Sequence, residues 1–241
     1  IPECFDLMVK NNNFNTNTKI EYVDESLVEI FLNDLEENVD IFDIFEDYVV
    51  ERVLVDYIYE CTDLIELKGN SFSTKRNEIN KFRRIHSDHK LEILDVERHA
   101  DGILALLNKW ISDRMRYLPS DQTELFLDGI YSERSAVKRM LKLYNELDLI
   151  GLVILSKERI IGFTVGEKIN DTTASVIIEK TDFDILGCAQ YIFREFAKVL
   201  FERYKILRIN VGDDMGFENL KKVKMSYRPS LMIPKYVIYK R

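Results

Sequence analysis

The sequence has few of the residues that cross-link a chain. Among its 241 residues there are only three cysteines, Cys4, Cys61 and Cys188, and they are widely spaced. An odd number of distant cysteines argues against a disulfide framework and is typical of a reducing compartment, so we expect a cytoplasmic protein. No Cys-x-x-Cys pair is present and the chain has three histidines, so we predict no metal site.

Long hydrophobic runs are also missing. The richest apolar stretch covers residues 147–155 and is interrupted by Asp148 and Gly151. This stretch is too short to cross a bilayer, so we predict no transmembrane segment. With 46% apolar residues the chain can still bury a core in one or two domains.

The net charge differs in sign between two parts of the chain. Residues 1–66 contain 18 acidic and 3 basic residues, a net charge of −15, whereas residues 67–241 contain 24 acidic and 31 basic residues, a net charge of +7. The overall charge of −8 therefore hides a basic portion that can meet phosphates, as in tRNA or another phosphate-bearing substrate. We do not expect DNA as a partner. The alternative is that these charges form ordinary solvated surfaces.

Hydrophobic periodicity divides the chain into helices and strands. It predicts helices over residues 25–38, 74–86, 100–116, 133–147, 188–204 and 217–223, and strands over 49–59, 150–155, 160–167, 173–180, 206–211 and 231–239. In the helix over 74–86, we expect Ile79, Phe82 and Ile85 to face inward.

The second half of this pattern is a three-strand meander followed by helix, strand, helix and strand. This order resembles that of a GNAT-type acyltransferase domain. We therefore predict an α+β fold with a mixed, mostly antiparallel sheet flanked by helices. In such a fold the helix after the meander points its N-terminus at the cofactor's phosphates.

The loop before that helix only partly fits acetyl-CoA binding. Acetyl-CoA-using GNAT enzymes usually have Arg or Gln, two residues, Gly, one residue, and then Gly or Ala. Gly187 and Ala189 match, but Asp184 replaces the Arg or Gln, and a carboxylate repels a pyrophosphate. Gly187 is a candidate substrate-binding residue, with an ordinary tight entry to a helix as the alternative. We therefore favour another acyl donor over acetyl-CoA and assign no cofactor.

Polar residues at two strand ends are candidates for chemistry. Glu179 and Lys180 end the third meander strand and should point to opposite faces of the sheet. A carboxylate there can hold an amino group or act as a general base, or it can belong to a surface ion pair. The next strand is followed by further candidates for binding a substrate ammonium, one of which can instead cap the next helix: Asn210, Asp213, Asp214 and Gly216.

Two basic clusters are candidates for phosphate binding. One contains Lys75 and Arg76, and the other contains Lys222 and Lys224. We expect them to flank a cleft and to contact phosphates, although such runs are more often solvated surfaces. Tyr227, next to the second cluster, can donate a proton or simply pack in the core.

Several motifs together resemble those of a known family. They are Asp56-Tyr57-Ile58-Tyr59, Leu67-Lys68-Gly69, Lys75-Arg76-Asn77-x-Ile79-Asn80-x-Phe82, Gly162-Phe163-Thr164-x-Gly166-Glu167, Ile178-Glu179-Lys180, Asn210, Asp214-x-Gly216 and Lys222-x-Lys224-x-Ser226-Tyr227-x-Pro229. In these segments the chain resembles a bacterial family of unknown function related to the C-terminal domain of phosphatidylglycerol lysyltransferases. The motifs add Asn77, Asn80 and Ser226 to the substrate-binding candidates.

The resemblance implies a tandem GNAT-like architecture with a truncated or divergent N-terminal repeat. The corresponding domains are residues 1–95 and 96–241. It also implies transfer of an amino acid from aminoacyl-tRNA to a lipid, peptide or small-molecule acceptor. The chain departs from the family at Val211-Gly212, where Arg-Glu is usual. This departure favours a rival hypothesis, a catalytically inactive binding protein on the same scaffold. A third hypothesis is an acetyl-CoA-dependent N-acetyltransferase.

Overall fold

The chain forms two compact units that do not follow its sequence halves. The computed structural model describes residues 2–12, 18–33, 47–116 and 123–241. Unit 1 combines Ile1–Ile58 with Gly212–Arg241, and unit 2 is Tyr59–Val211. The predicted boundary at residue 95 falls inside unit 2. The assignment of 1–95 and 96–241 to two GNAT-like portions stays a prediction.

The described residues of unit 1 form three helices and three strands. These are α1 (Pro2–Asn11), β1 (Lys19–Asp24), α2 (Glu25–Asn33), β2 (Tyr48–Glu60, whose last two residues belong to unit 2), α8 (Glu218–Met225) and β8 (Leu231–Lys240). Strand β8 lies between β1 and β2 and pairs antiparallel with both. The core of this unit contains Phe5, Val28, Tyr48 and Ile238. Neither α1 nor β1 was predicted from the sequence. Residues 34–38 of the helix predicted over 25–38 lie outside the described residues.

Unit 2 contains the predicted meander. Its elements are α3 (Cys61–Glu66), a 3₁₀ turn (Asn70–Phe72), α4 (Ser73–Ile85), β3 (Lys90–Ile93), α5 (Val96–Met115), α6 (Thr123–Lys142), β4 (Ile150–Ser156), β5 (Arg159–Lys168), β6 (Thr173–Thr181), α7 (Cys188–Tyr204) and β7 (Arg208–Asn210). Strands β3 to β6 pair antiparallel in sequence order, and β7 pairs parallel with β6. The predicted mixed, mostly antiparallel sheet is confirmed.

The two faces of this sheet are covered by different helices. On one face Phe163 and Val165 pack in a cluster with Ile103 and Leu107 of α5 and Val137 of α6. The alternating positions of β5 face α7, because side chains in a strand point in turn to opposite faces. There a Cβ on Gly162 would lie 3.2 Å from the Cys188 sulfur, and one on Gly166 would lie 3.1 Å from Phe196.

One inward-facing residue was predicted wrongly. Ile79 and Phe82 of α4 are buried, as expected, but Ile85 is 57% exposed. Ile85 is the last residue of the helix, and there the apolar face that buries Ile79 and Phe82 becomes exposed. Among the described residues, no helix combines the length and the apolar character that a membrane span requires.

Candidate functional site

The buried face of β6 carries a carboxyl group with one oxygen atom that has no hydrogen-bond partner among the described residues. Glu179 pairs across the sheet with Thr164 of β5, so the two side chains share one face, the face that α7 covers. The Oε2 atom of Glu179 and the Oγ1 atom of Thr164 are both shielded from solvent. Neither atom makes a hydrogen bond within the part of the chain that the structure describes. Such groups usually find partners, so two on neighbouring strands indicate a place for a ligand or water.

This environment changes the acidity of Glu179. Burial raises the pKa of its carboxyl group from 4.5 to about 8. At neutral pH the group is therefore mostly protonated, and a bound cation would favour release of the proton. A carboxyl group poised near neutral pH is suited either to binding an ammonium group or to accepting a proton.

Lys180, the neighbouring candidate, points to the opposite face. It pairs with Phe163, its ammonium lies 2.8 Å from a Glu133 oxygen, and it stands 3.9 Å from the centre of the Trp110 ring. The ion pair and the cation–π contact both stabilise the charge of the Lys180 ammonium. The predicted substrate-binding role of Lys180 stays a prediction.

Gly187 has a structural reason to be glycine. It caps the start of α7 with a φ of 85°, in the left-handed region. A Cβ at this position would lie 2.2 Å from the carbonyl oxygen of Glu78 in α4, so only glycine allows the two helices to approach. Cys188, the next residue, is fully buried, and burial raises the pKa of its thiol.

The loop before α7 holds an ammonium group where a GNAT enzyme would bind phosphates. Lys109 of α5 lies 2.9 Å from Asp182, 2.8 Å from Asp184 and 2.6 Å from Asp113, and Arg159 lies 3.1 Å from Asp182. The hydrogen bonds that the Lys109 ammonium donates to Asp113 and Asp184 raise its pKa. The three carboxylates are close enough together to hold a metal ion, and the Lys109 ammonium already lies within 3 Å of each of them. The sequence analysis missed Lys109, which is more than 70 residues away from this loop.

The first predicted phosphate-binding cluster lies on α4 in unit 2. The Arg76 guanidinium donates to the carbonyl oxygens of Leu67 and Gly69, the second at 2.7 Å, and so fixes the loop after α3. Lys75 is half-buried, and burial lowers the pKa of its ammonium. Asn77 and Asn80 are exposed. Of this cluster, Arg76 has a clear structural role.

In unit 1, Lys235 links two acidic residues. Its ammonium lies 2.6 Å from Asp213 and 2.8 Å from Asp56, and the Tyr22 ring is centred 4.9 Å away. Burial alone would raise the pKa of Asp213, but hydrogen bonds from Lys235 and the Met215 amide outweigh it, and the pKa lies below its ordinary value. Asp213 was predicted to hold a substrate ammonium, and in this structure it holds that of Lys235.

Asp214 is also satisfied inside unit 1. The Tyr57 hydroxyl donates to it at 2.6 Å, and the Gly216 amide donates to its other oxygen at 2.9 Å. The hydrogen bond from Tyr57 lowers the pKa of Asp214, while burial and this same bond raise the pKa of Tyr57 to about 12. Gly216 has a φ of 75°, which the turn after Asp214 requires.

The remaining candidates differ in exposure. Lys224 donates to the carbonyl oxygens of Gly212, at 3.1 Å, and Asp213, and burial lowers the pKa of its ammonium. Ser226 donates to Val223 at 2.6 Å, as a helix C-terminus often requires. Lys222 is exposed, and Tyr227 and Asn210 are half-buried. The acidic candidates Asp213 and Asp214 thus cluster with Lys224 in unit 1, whereas Glu179, Lys180 and Gly187 belong to unit 2.

The fold class follows from three features, which are the antiparallel meander, the helix after it and the strand that pairs parallel with the meander. The fold is GNAT-like, and a tandem GNAT protein from the clavulanic acid biosynthesis pathway superposes with a TM-score of 0.51 at 5% identity, over 97% of this chain and 66% of that one. Within this class, the family described as phosphatidylglycerol lysyltransferase, C-terminal, matches residues 24–239. The chain belongs to this family.

Solved structures and a sequence relative agree with this assignment. A conserved protein of unknown function from Bacteroides thetaiotaomicron is 28% identical, with a TM-score of 0.81 over 100% of this chain and 74% of that one. L-PGS from Bacillus licheniformis is 12% identical, with a TM-score of 0.65 over 99% and 71%. An uncharacterized protein of Mycoplasmoides gallisepticum is 28% identical over 191 residues, 79% of this chain but only 58% of that protein.

Proposed function

We propose that this protein transfers an aminoacyl group from aminoacyl-tRNA to an amine or hydroxyl acceptor. The family and the GNAT-like fold support acyl transfer in general. The observation that carries the proposal further is the Glu179 carboxyl group on the α7 face of β6, whose buried Oε2 atom has no hydrogen bond within the described part of the chain. An unsatisfied buried carboxyl group destabilises the fold, and a ligand that satisfies it gains binding energy.

The α-amino group of an aminoacyl ester can supply the hydrogen-bond donor that the Glu179 carboxyl group lacks. It is a cation with several N–H donors, and binding it would convert the protonated carboxyl group into a carboxylate. Thr164 offers a hydroxyl group at the paired position on β5, where it can accept or donate a further hydrogen bond. In this proposal Glu179 holds the donor's amino group and does not react covalently.

The transfer itself needs no group attached to the enzyme. The acceptor's nitrogen or oxygen attacks the ester carbonyl carbon, and the bond between that carbon and the ribose oxygen of the tRNA breaks. The acceptor loses a proton and the ribose oxygen gains one. The protein contributes by holding the two substrates in line, which lowers the entropic part of the barrier.

Phosphate contacts of the tRNA are expected from exposed lysines. Lys222 is exposed on α8, whereas Arg76 and Lys224 are engaged by backbone carbonyl groups. We therefore assign salt-dependent tRNA binding first to Lys222 and only second to the buried cations. A tRNA donor would also place the protein in the cytoplasm, as the sequence predicts.

The test is transfer of radiolabelled amino acids from a mixed pool of aminoacyl-tRNA. Vesicles containing phosphatidylglycerol and a short peptide serve as separate acceptors. Glu179→Gln is expected to raise the KM for aminoacyl-tRNA about tenfold or more, because it removes a charge-assisted contact with the amino group. Glu167→Gln, an exposed carboxylate on β5, is the matched control.

The outcomes separate an active aminoacyltransferase from an inactive binding protein. A higher KM at nearly unchanged kcat supports binding of the amino group, and a lower kcat with loss of a pH dependence near 8 would make Glu179 a general base. Salt-sensitive tRNA binding without turnover would favour the inactive binding protein. Absence of tRNA binding at low salt would refute the proposal.

A further inference from the structure

A groove in unit 2 lies apart from Glu179. It runs between α5 and the hairpin that joins β4 to β5, and has a volume of about 440 Å³. Its apolar side chains are those of Ala105, Leu106, Leu155 and Ile160. This volume is within the range of sites that bind small molecules, and an apolar floor is typical of them. The proposed function makes no use of this groove.

A buried histidine lines the groove and lacks a hydrogen bond. His99 is only 2% exposed, and its Nδ1 atom accepts from the Asp95 amide at 3.0 Å. The proton of the neutral ring is therefore on Nε2. Nε2 makes no hydrogen bond in the described part of the chain, and the Glu92 oxygen 3.4 Å away is at ion-pair distance without hydrogen-bond geometry. His99 thus offers an unused donor.

The hairpin places cationic groups at the edge of the groove. Lys157 and Glu158 both have positive φ angles, 48° and 62°, which form the tight turn between β4 and β5. The Asp88 carboxylate accepts from the Lys157 amide and the Ser156 hydroxyl, both at 3.1 Å, and so holds the turn in place. Lys157 and Arg159 therefore line the groove from a fixed hairpin.

Only some of the charged side chains that line the groove form ion pairs with other described residues. Arg98 is paired with Glu92 at 2.9 Å and Arg159 with Asp182 at 3.1 Å, each through one nitrogen, while Lys109 is fully engaged by its three carboxylates. No ion pair involves the Lys157 ammonium among the residues that the structure describes, and Glu158 is the only acidic residue in this lining. The unused donors outnumber the acceptors, which favours an anionic group with several oxygen atoms.

We propose that this groove binds a small molecule that carries a phosphate monoester on an apolar body. The phosphate oxygens meet Lys157, His99 Nε2 and the free guanidinium nitrogens of Arg98 and Arg159. The apolar body lies on Leu106, Leu155 and Ile160. Two sources share this chemistry, a nucleotide, whose base is the apolar body, and an alkyl phosphate of the kind found in lipid precursors.

Calorimetric titration with AMP, n-octyl phosphate and inorganic phosphate tests this proposal and distinguishes the sources. We expect saturable binding of AMP or n-octyl phosphate, and binding of inorganic phosphate at least about tenfold weaker, because it lacks the apolar body. Tighter binding of AMP would indicate a nucleotide, and tighter binding of n-octyl phosphate an alkyl phosphate. Absence of saturable binding by both organic phosphates would overturn the proposal.

Three variants locate the binding site. Lys157→Gln is expected to weaken binding about tenfold by removing the unpaired cation, and Ala105→Phe to abolish it by filling the groove from an exposed position. Lys168→Gln, at the other end of β5, is the control and should bind like the unaltered protein. Equal binding by all three variants would overturn the proposal. Thermal unfolding of each variant without ligand confirms that the fold is intact.

Discussion

The carboxylates of unit 1 and the Glu179 carboxyl group of unit 2 are both removed from solvent, but they are treated in opposite ways. In unit 1, Asp56 and Asp213 share the Lys235 ammonium, and Asp214 accepts from Tyr57. In unit 2, the Oε2 atom of Glu179 has no hydrogen-bond partner in the described residues. The pKa values move accordingly, since those of Asp213 and Asp214 are lowered whereas that of Glu179 is raised to about 8.

The difference shows how to tell a structural acid from one that waits for a ligand. A carboxylate with a cation and backbone donors around it stabilises the native state and has little left for a substrate. A carboxyl group that is buried without such partners lowers the stability of the native state, and groups of this kind are found most often at functional sites. By this criterion Glu179 is a stronger candidate for ligand binding than Asp213 and Asp214.

Removing the shared cation should have the largest effect on the unit 1 cluster. Lys235→Met leaves Asp56 and Asp213 facing each other with side chains that are 19% and 15% exposed. We expect the free energy of unfolding to fall by about 3 kcal/mol, because breaking a largely buried ion pair leaves uncompensated charge. Urea denaturation at pH 7 measures this change.

A second substitution shows whether charge is the cause. Adding Asp213→Asn to the Lys235→Met variant should restore part of the lost stability, because it removes one of the two carboxylates that shared the lost ammonium. Lys240→Met, at the exposed end of the same strand, is the control and should unfold like the unaltered protein. A further loss in the double variant would show that packing, and not charge, stabilises this cluster.

Replacing Glu179 should raise the free energy of unfolding, whereas replacing Lys235 lowers it, and the size of the increase should depend on pH. Because its pKa is raised from 4.5 to about 8, the native state binds the proton more tightly than the unfolded chain does. Stability is therefore lost as the pH rises from about 4.5 to about 8. Glu179→Gln removes this loss, so at pH 9 we expect it to be more stable than the unaltered protein by about 2 kcal/mol, after allowance for its partial exposure.

Denaturation at pH 5, 7 and 9 measures this dependence. The stability difference between Glu179→Gln and the unaltered protein should grow over this series, whereas Glu167→Gln should show no such trend. A constant difference would mean that Glu179 titrates normally, and the contrast between the two units would then disappear. Partial recovery of alkaline stability by an aminoacyl ester analogue would connect the effect to ligand binding.

Much of the fold can be predicted from periodicity. The meander and α7 were predicted because each element carries its own apolar pattern, which nearby residues fix. The helix α1 and the strand β1 were missed because their pattern is short, and β1 contains an irregularity between Ile20 and Val23 where it pairs with β8. The exposure of Ile85 was missed because periodicity cannot show where the covering element ends.

The candidate site could be predicted only in part. Residue type and strand position identified Glu179, but its lack of a partner depends on Thr164, α7 and the depth of burial, which the sequence does not display. The partners of Asp213 and Asp214 were likewise missed, since Lys235 and Tyr57 reach them from β8 and β2 across many residues. Which carboxylate is already satisfied is a property of the tertiary structure.

The smallest change in stability is expected in the loop before α7. Here an exposed and a buried carboxylate, Asp184 and Asp182, share the Lys109 ammonium. Asp184 is 80% exposed and Asp182 only 1%, so Asp184→Asn should leave stability unchanged. Asp182→Asn should lower stability, because Arg159 loses its carboxylate and Lys109 loses the most buried of its three partners. Neither the unaltered protein nor Asp184→Asn should be stabilised by coenzyme A in thermal unfolding, because the Asp182 carboxylate remains beside the start of α7. A coenzyme A-dependent increase in Tm for Asp184→Asn alone would mean that one exposed carboxylate blocks an otherwise competent phosphate site. The acetyl-CoA hypothesis would then gain the support that the present geometry denies it.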